Sequence, residues 1–237
     1  MNRYFYDLHI HSCLSPCADN DMTPGNIAGM AAIKGLKIVA LTDHNTCRNC
    51  RPFFAACRRL GLIPIAGMEL TTAEDIHLVC LFDTLDAALD FDAEVRKHFL
   101  NVKNRPDLFG EQLITDENDV VIGKEDMLLS AATSLDIGSA VSLVRSHGGI
   151  VYPAHVDREA NGIISILGDI PPDYNFSAAE FNIAANIEPY RKKYPSLQSI
   201  NTVCSSDAHY LWDINEAGPS LEMDDPNQLF NILYNKN

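Results

Sequence analysis

The stretch YFYDLHIHS, Tyr4 to Ser12, bears on both the fold and the chemistry. Tyr4 to Ile10 has the aromatic and β-branched character of a strand, so the chain opens on β structure. Residues i and i+2 of a strand point to one face. His9 and His11 therefore project together from the strand end, with Asp7 beneath them on that side. Two imidazoles from one strand can hold one metal ion. A lone histidine there is more often a satisfied core residue. An H-x-H pair with a same-face carboxylate points instead to metal.

Outward from this stretch the chain alternates. Thr23-Pro24 reads as an N-cap with proline at the first helical position. That helix runs through Ile27, Met30, Ala31 and Lys34 and stops at Gly35. KIVAL, Lys37 to Leu41, is a fully buried strand. A helix follows over Pro52 to Leu60, ended by Gly61. Strands follow at Leu62 to Ala66 and Ile76 to Phe82, and helical spacing at Leu85 to Phe99. From about Asn101 to Leu135 the rhythm breaks. QLITDENDVVIG reads as a small hairpin there, and the segment as an excursion or lid. Asp136 caps a helix with Ile137, Ala140, Val141 and Val144 on one face. Gly149 to Tyr152, Ala179 to Ile183 and Ile200 to Cys204 are further strands. Strands alternating with helices predict an α/β fold, a parallel sheet with right-handed crossovers. About seven units fit, which suggests a barrel of fewer than eight strands. The whole chain, 1–237, reads as a single barrel domain.

Hydrophobic residues at 46% and charged residues at 21% are globular composition. No run of 18 apolar residues and no apolar signal core at the N-terminus are present, so the expectation is a cytoplasmic protein away from membranes. A net charge of −14 repels phosphate backbones and makes nucleic acid an unfavoured partner. A small phosphorylated substrate stays open, because bound cations reverse the local sign. Seven cysteines, an odd number, read as reduced thiols. Cys13 with Cys17 and Cys47 with Cys50 could together supply a thiolate zinc site. The plainer reading is spare thiols near a loop.

The other histidines sharpen the picture. His44 follows KIVAL in LTDHN, with Asp43 beside it as an orienting partner. Glu69 ends an apolar run in GMEL, and bridging two ions would satisfy a buried carboxylate. His77 lies in the strand IHLV, His155 ends YPAH, and Asp207 and His209 share i, i+2 spacing in SSDAH. His98 and His147 lie in helical patterns and are set aside. In a parallel α/β barrel the C-terminal rim of the strands is where active sites form. Eight such ligands exceed what one ion needs and fit two or three.

The set DLHIHS, LTDHN, GMEL with a following His, PAH and SSDAH, in that order from Asp7 to His209, resembles the PHP family (polymerase and histidinol phosphatase). The resemblance implies a distorted, TIM-like (β/α)7 barrel, two to three divalent ions (zinc, iron or manganese) and hydrolysis of phosphate esters. It implies His9, His11, Glu69 and Asp207 around one ion, Glu69, His77 and His155 around a second, and His44 and His209 around a third. Many members give the third ion an acidic residue after the first motif. SCLSPCADNDMTP is longer than the common form here, and Asp19 or Asp21 could fill the role, with Asp21 preferred. Asp7 and Asp43 would orient histidines from behind. Asp207, Glu69 and His209 would form the catalytic centre, with a metal-activated hydroxide as nucleophile. Arg158, three residues past His155, could grip a phosphate, although an ordinary surface arginine is the plainer reading. The expected function is a metal-dependent phosphoesterase acting on a small phosphorylated metabolite or nucleotide. A nuclease or polymerase-linked module is the alternative. A third reading is a metal-stabilised binding or regulatory module without turnover. The oligomeric state is not legible.

Overall fold

The structure, a computed structural model, describes residues 1–234. Three strands open the sheet: β1 (Asn2–Asp7), β2 (Ile38–Leu41) and β3 (Ile63–Thr71), all parallel. The crossovers between them carry α1 (Pro24–Ile33) and α2 (Cys50–Arg59). Thr23 caps α1 as its sequence predicts: its hydroxyl accepts the Asn26 N–H at 3.3 Å, with Pro24 at the first position.

β4 (His77–Phe82) departs from the expected parallel order. It pairs antiparallel with β3, Thr71 opposite His77. Only residues 72–76 join the two strands, and a parallel crossover needs about a dozen residues or more. The chain therefore turns back as a hairpin, with Thr72 N–H bonded to Ile76 O at 2.9 Å. This reversal places His77, the first residue of β4, at the rim where β1, β2 and β3 end. α3 (Leu85–Val95) follows, then α4 (Pro106–Phe109) and the hairpin β5 (Leu113–Thr115) with β6 (Val121–Lys124). The hairpin lies where the sequence places it.

Asp136 caps α5 (Ile137–Ser146) by accepting the Ser139 N–H at 2.7 Å. β7 (Ile150–Pro153) pairs antiparallel with β4. After α6 (Ile163–Leu167) come β8 (Ala178–Phe181), α7 (Ile187–Lys193) and β9 (Asn201–Cys204), with β8 and β9 parallel. Two backbone bonds carry the curl past the strand ends. Val156 N–H donates to Glu180 O at 2.8 Å, and His11 N–H to Ala208 O at 3.0 Å. β1, β2, β3, β4 and β7 thus belong to one curled sheet, and β8 with β9 form a separate two-stranded sheet that those bonds tie to it, a barrel-like α/β arrangement. β10 (Ser220–Met223) adds an antiparallel edge strand to β1, and α8 (Leu229–Tyr234) follows; neither was read from sequence.

The core divides by strand parity. Ile38, Ala40, Val79, Leu81 and Tyr152 pack inside the curl. Val39, Leu41, Met68, Leu70 and Val151 pack outward, with Phe53, Phe91 and Val144 from the helices. Cys47 and Cys50 belong to that outer core, and their thiols donate to Gly67 O at 3.2 and 3.7 Å. Cys13 Sγ lies 3.8 Å from Leu113 O, and Cys17 is exposed elsewhere. The four thiols do not converge, so the four-thiolate zinc site is not formed. Among the described residues no helix is long and apolar enough to cross a membrane.

Candidate metal centre

β1 ends at Asp7, so strict alternation does not carry the two histidines. Leu8 packs with the inner core and Ile10 with the outer one. His9 and His11, both fully buried, are held by this irregular extension. Their Nε2 atoms lie 3.1 Å apart.

Glu69 stands at the middle of the site. Its Oε1 lies 3.3 Å from His9 Nε2, 2.8 Å from His77 Nδ1 and 3.0 Å from His155 Nε2. Its Oε2 lies 3.2 Å from His11 Nε2 and 3.0 Å from His44 Nδ1. Asp207 Oδ1 closes the far side, 3.4 Å from His9 Nε2 and 3.1 Å from His11 Nε2. His209 stacks on His11 with ring centroids 4.3 Å apart. Ligand atoms fall into three compact groups: His9, His11, Glu69 and Asp207; His44, Glu69 and His77; and His11, His44 and His209. His155 reaches the cluster through Glu69. Two cluster residues sit in the left-handed region, His155 at φ 29° and Asp207 at φ 55°. Such backbone strain gathers at functional sites.

Two calls change. Asp21 is exposed and joins none of the three groups. Asp19 accepts the Asp21 N–H at 2.8 Å and also stays outside them. The Asp19–Met22 turn, closed by Met22 N–H to Asp19 O at 3.0 Å, leaves both residues exposed. Asp7 does not orient a histidine ring. Its carboxylate accepts the backbone N–H groups of Ser206 (3.1 Å) and Asn215 (3.0 Å) and ties the last motif to the first. Asp43 works at one remove. It accepts Ser12 and Ser15 hydroxyls, each at 2.7 Å, and Ser15 Oγ lies 2.9 Å from His11 Nδ1.

The residue that orients His9 is Glu180, which sequence reading passed over. Its Oε1 lies 2.7 Å from His9 Nδ1 and it is fully buried. The available signal was a charge inside the apolar strand AAEF, at the parity that faces the interior.

The charges sort by proximity. Burial disfavours a charged His9, but the Glu180, Glu69 and Asp207 carboxylates outweigh it and hold its pKa well above the ordinary value. At His11 burial is outweighed by Asp207 and Glu69, giving about 9. At His44 burial is outweighed chiefly by Glu69, again giving about 9. Burial would raise Glu69, yet His77, His9 and His44 hold it well below the carboxylate range. Asp207 is likewise held low against burial, by His9 and His11. Burial and then the His11 charge pull His209 down to about 3. Protons on His9, His11 and His44 thus balance the carboxylates where cations would.

The donor set fits divalent ions. His44 Nδ1, His77 Nδ1, Glu69 Oε2 and Asp207 Oδ1 are buried, and although each lies within 3.1 Å of another cluster atom, none of these contacts has hydrogen-bond geometry. Buried polar atoms are rarely left so. An ion satisfies several such atoms at once, and an imidazole–carboxylate set suits zinc, iron or manganese. The cluster floors a cavity of about 430 Å³ whose walls include Ser130, Arg158, Asn161 and Tyr210. Arg158, half exposed, pairs with Asp207 Oδ2.

The PHP domain family model matches residues 7–161. The chain belongs to the PHP domain family. PHP domains are metal-dependent, and their members include phosphoesterases and nucleases. A 5'-3' exoribonuclease of Haemophilus influenzae is 33% identical over 79 residues, 32% of this chain and 28% of that one. An error-prone DNA polymerase of Symbiobacterium thermophilum is 35% identical over 77 residues, 32% of this chain and 7% of the polymerase. The matches therefore cover less than a third of either curated relative. Among solved structures, a Bifidobacterium adolescentis protein assigned as a metal-dependent phosphoesterase superposes with TM-score 0.62 at 17% identity, covering 97% of this chain and 96% of that one. A lesion-specific endonuclease of Pyrococcus furiosus gives TM-score 0.63 at 18% identity, over 89% of this chain and 49% of its own. These likenesses establish the PHP fold, a distorted TIM-like barrel.

Proposed function

We propose that this PHP chain is a metal-dependent phosphoesterase acting on a small phosphorylated metabolite or nucleotide. The observation that carries it is one cavity, with the histidine–carboxylate cluster as floor and Arg158 on its wall. At about 430 Å³ the cavity matches small-ligand sites, which run from about 300 to 1,000 Å³. His9, His11, Glu69 and Asp207 would hold one ion, Glu69, His77 and His155 a second, and His44 and His209 a third. Zinc, iron and manganese all suit these donors. When bound, such ions supply a nucleophile from water at neutral pH and neutralise phosphoryl charge.

The chain's own groups do the rest. Glu69, shared by two of the donor groups, and Asp207, in one of them, would supply the anionic ligands, and Glu180 fixes the ring of His9. The Arg158 guanidinium can turn from Asp207 to a phosphate oxygen pair, where its planar fork binds bidentately. Ser130 brings the 101–135 segment to the cavity wall, so that segment takes part in substrate selection. A net charge of −14 disfavours long nucleic acid and a membrane surface as partners. The seven unpaired thiols suit a reducing, cytoplasmic setting.

A nucleic-acid end is the second reading. Tyr210 is half exposed beside His209 on the cavity wall, where a base can stack. The test is metal content together with hydrolysis of an aryl phosphate, nucleoside monophosphates and single-stranded RNA, with and without chelator. Chelator-sensitive hydrolysis of the small esters is expected. Cleavage of RNA alone would replace the first reading with the second. His9→Ala and Asp207→Ala are expected to keep the circular dichroism of the fold and lose metal and hydrolysis together. Full activity in either variant would remove this site.

A further inference from the structure

Ser130 lines the same cavity as the histidine–carboxylate cluster and Arg158, and no hydrogen bond joins its hydroxyl to another described residue. Asn161, also on the wall, is engaged already, because its Nδ2 donates to Asp75 O at 2.9 Å. The backbone around Ser130 is held on both sides. Asn45 Nδ2 donates to Leu129 O at 2.7 Å and to Ala131 O at 2.8 Å, the carbonyls of the two flanking residues. Asn45 is fixed in turn by the strand that carries Glu69. Its Oδ1 accepts the Thr71 N–H at 2.9 Å, and its own N–H donates to Glu69 O at 2.9 Å. It is buried at φ 50°, a left-handed conformation that asparagine tolerates. The Asn45 amide thus uses both donor hydrogens and its acceptor, and it ties the wall at Ser130 to the floor at Glu69.

We propose that Ser130 is a specificity-determining residue that bonds a hydroxyl on the alcohol part of the phosphate ester, and that Asn45 is its positioning residue. This rests on the phosphoesterase reading above and narrows it to esters of polyhydroxy alcohols. The groups that hold the phosphate meet what every ester shares. Discrimination falls to the wall groups that meet the alcohol. A serine hydroxyl both donates and accepts, so it pairs with a substrate hydroxyl in either direction. Among the described residues, no aliphatic side chain larger than Ala160 lines the cavity. An alkyl body would therefore find little apolar surface to cover, whereas a hydroxylated one has Ser130 to bond. A site built to bond a hydroxyl rejects the analogue lacking it, because its own polar group is then left unpaired. The bonds from Asn45 fix the backbone at Ser130 before the substrate arrives, which lowers the entropy lost on binding.

The experiment titrates the metal-loaded full chain, by calorimetry, with butylphosphonate and 3,4-dihydroxybutylphosphonate, non-hydrolysable mimics of propyl and glycerol phosphate. The dihydroxy probe is expected to bind more tightly. Ser130→Ala should reduce that preference by about 3- to 10-fold, with bound metal unchanged, and Ser130→Thr, which keeps a hydroxyl, should retain it. Asn45→Asp keeps the acceptor for Thr71 and the tolerance of φ 50° but loses the donors to Leu129 and Ala131. It should reproduce the loss without altering Ser130, and circular dichroism shows whether it folds. If it does not fold, the two Ser130 variants decide. An unaltered chain that binds the two probes equally, or binds neither, would overturn the assignment, as would a preference that survives Ser130→Ala. Hydrolysis of an aryl phosphate by the same preparation tests the phosphoesterase reading separately, so that reading can stand while this one falls.

Discussion

Glu69 illustrates how one residue organises the site. It lies in β3, whose Ile63 and Ile65 share its parity, so the carboxylate turns inward above the inner core. There it meets His9, His11, His44, His77 and His155 within hydrogen-bonding distance. Glu180 does quieter work from below by accepting from His9 Nδ1. A partner of that kind sets the tautomer and ring angle of a ligand, and its loss costs about 10–100-fold in metal affinity or activity. Glu180→Gln is therefore expected to weaken metal retention by that factor while the fold persists. Competition with a chromophoric chelator measures it, and unchanged retention would deny Glu180 its orienting role.

At the scale of elements, the 101–135 segment is fastened down rather than swinging free. Asn45 Nδ2 donates to Leu129 O and Ala131 O at 2.7 and 2.8 Å. Gln112 Nε2 donates to Glu125 O and Met127 O, each at 2.7 Å. The hairpin turn in turn docks on α1. Asp119 accepts the Thr23 hydroxyl at 2.8 Å and the Gly25 N–H at 2.9 Å, serving as a second cap from outside the helix. Gly25 is required by this contact, since a Cβ there would collide with the Asp119 carboxylate. Asp119 also sits at φ 61°, which aspartate and asparagine tolerate better than alanine. Asp119→Ala should then cost about 1–2 kcal/mol, and Asp119→Asn less. Urea unfolding midpoints give the comparison, and equal midpoints for the two variants would rule the docking out as a source of stability.

For the whole molecule, the site couples stability to pH and metal. His11 and His44 are raised from 6.5 to about 9, and His9 is raised as well, because carboxylates face them. A raised histidine contributes stability that is fully present below its unfolded pKa and is lost as pH rises through the folded one. The metal-free protein should therefore lose stability between pH 6.5 and about 9. Glu69 and Asp207, held low, are ionised in both states across that window and add no slope. Ions replace the protons and bind more tightly as the imidazoles deprotonate. The gap in Tm between metal-loaded and chelator-treated protein should widen from pH 6.5 to 9. A gap that narrows would contradict the charge arrangement.

The ligand motifs were legible because their information is local. Chain position at or just past a strand end suffices to place His9, His11, Glu69, Asp207 and His209 on one rim, although an irregular extension of β1 rather than strict alternation carries the two histidines there. Helix boundaries were legible for the same reason, through Thr23, Asp136 and their capping bonds. What the tertiary structure alone decided depends on long-range packing. The reversal of β4, forced by a short connection, brings the start of that strand to the rim and puts His77 in the site. The approach of β8 beneath β1 pairs Glu180 with His9 across 171 positions of sequence. The turn at Asp19–Met22 sends Asp21 to solvent. β10 is recognisable only as the edge partner of β1. Sequence spacing specifies what each strand end presents; which strand ends meet is set by the loop lengths and by the core that closes beneath them.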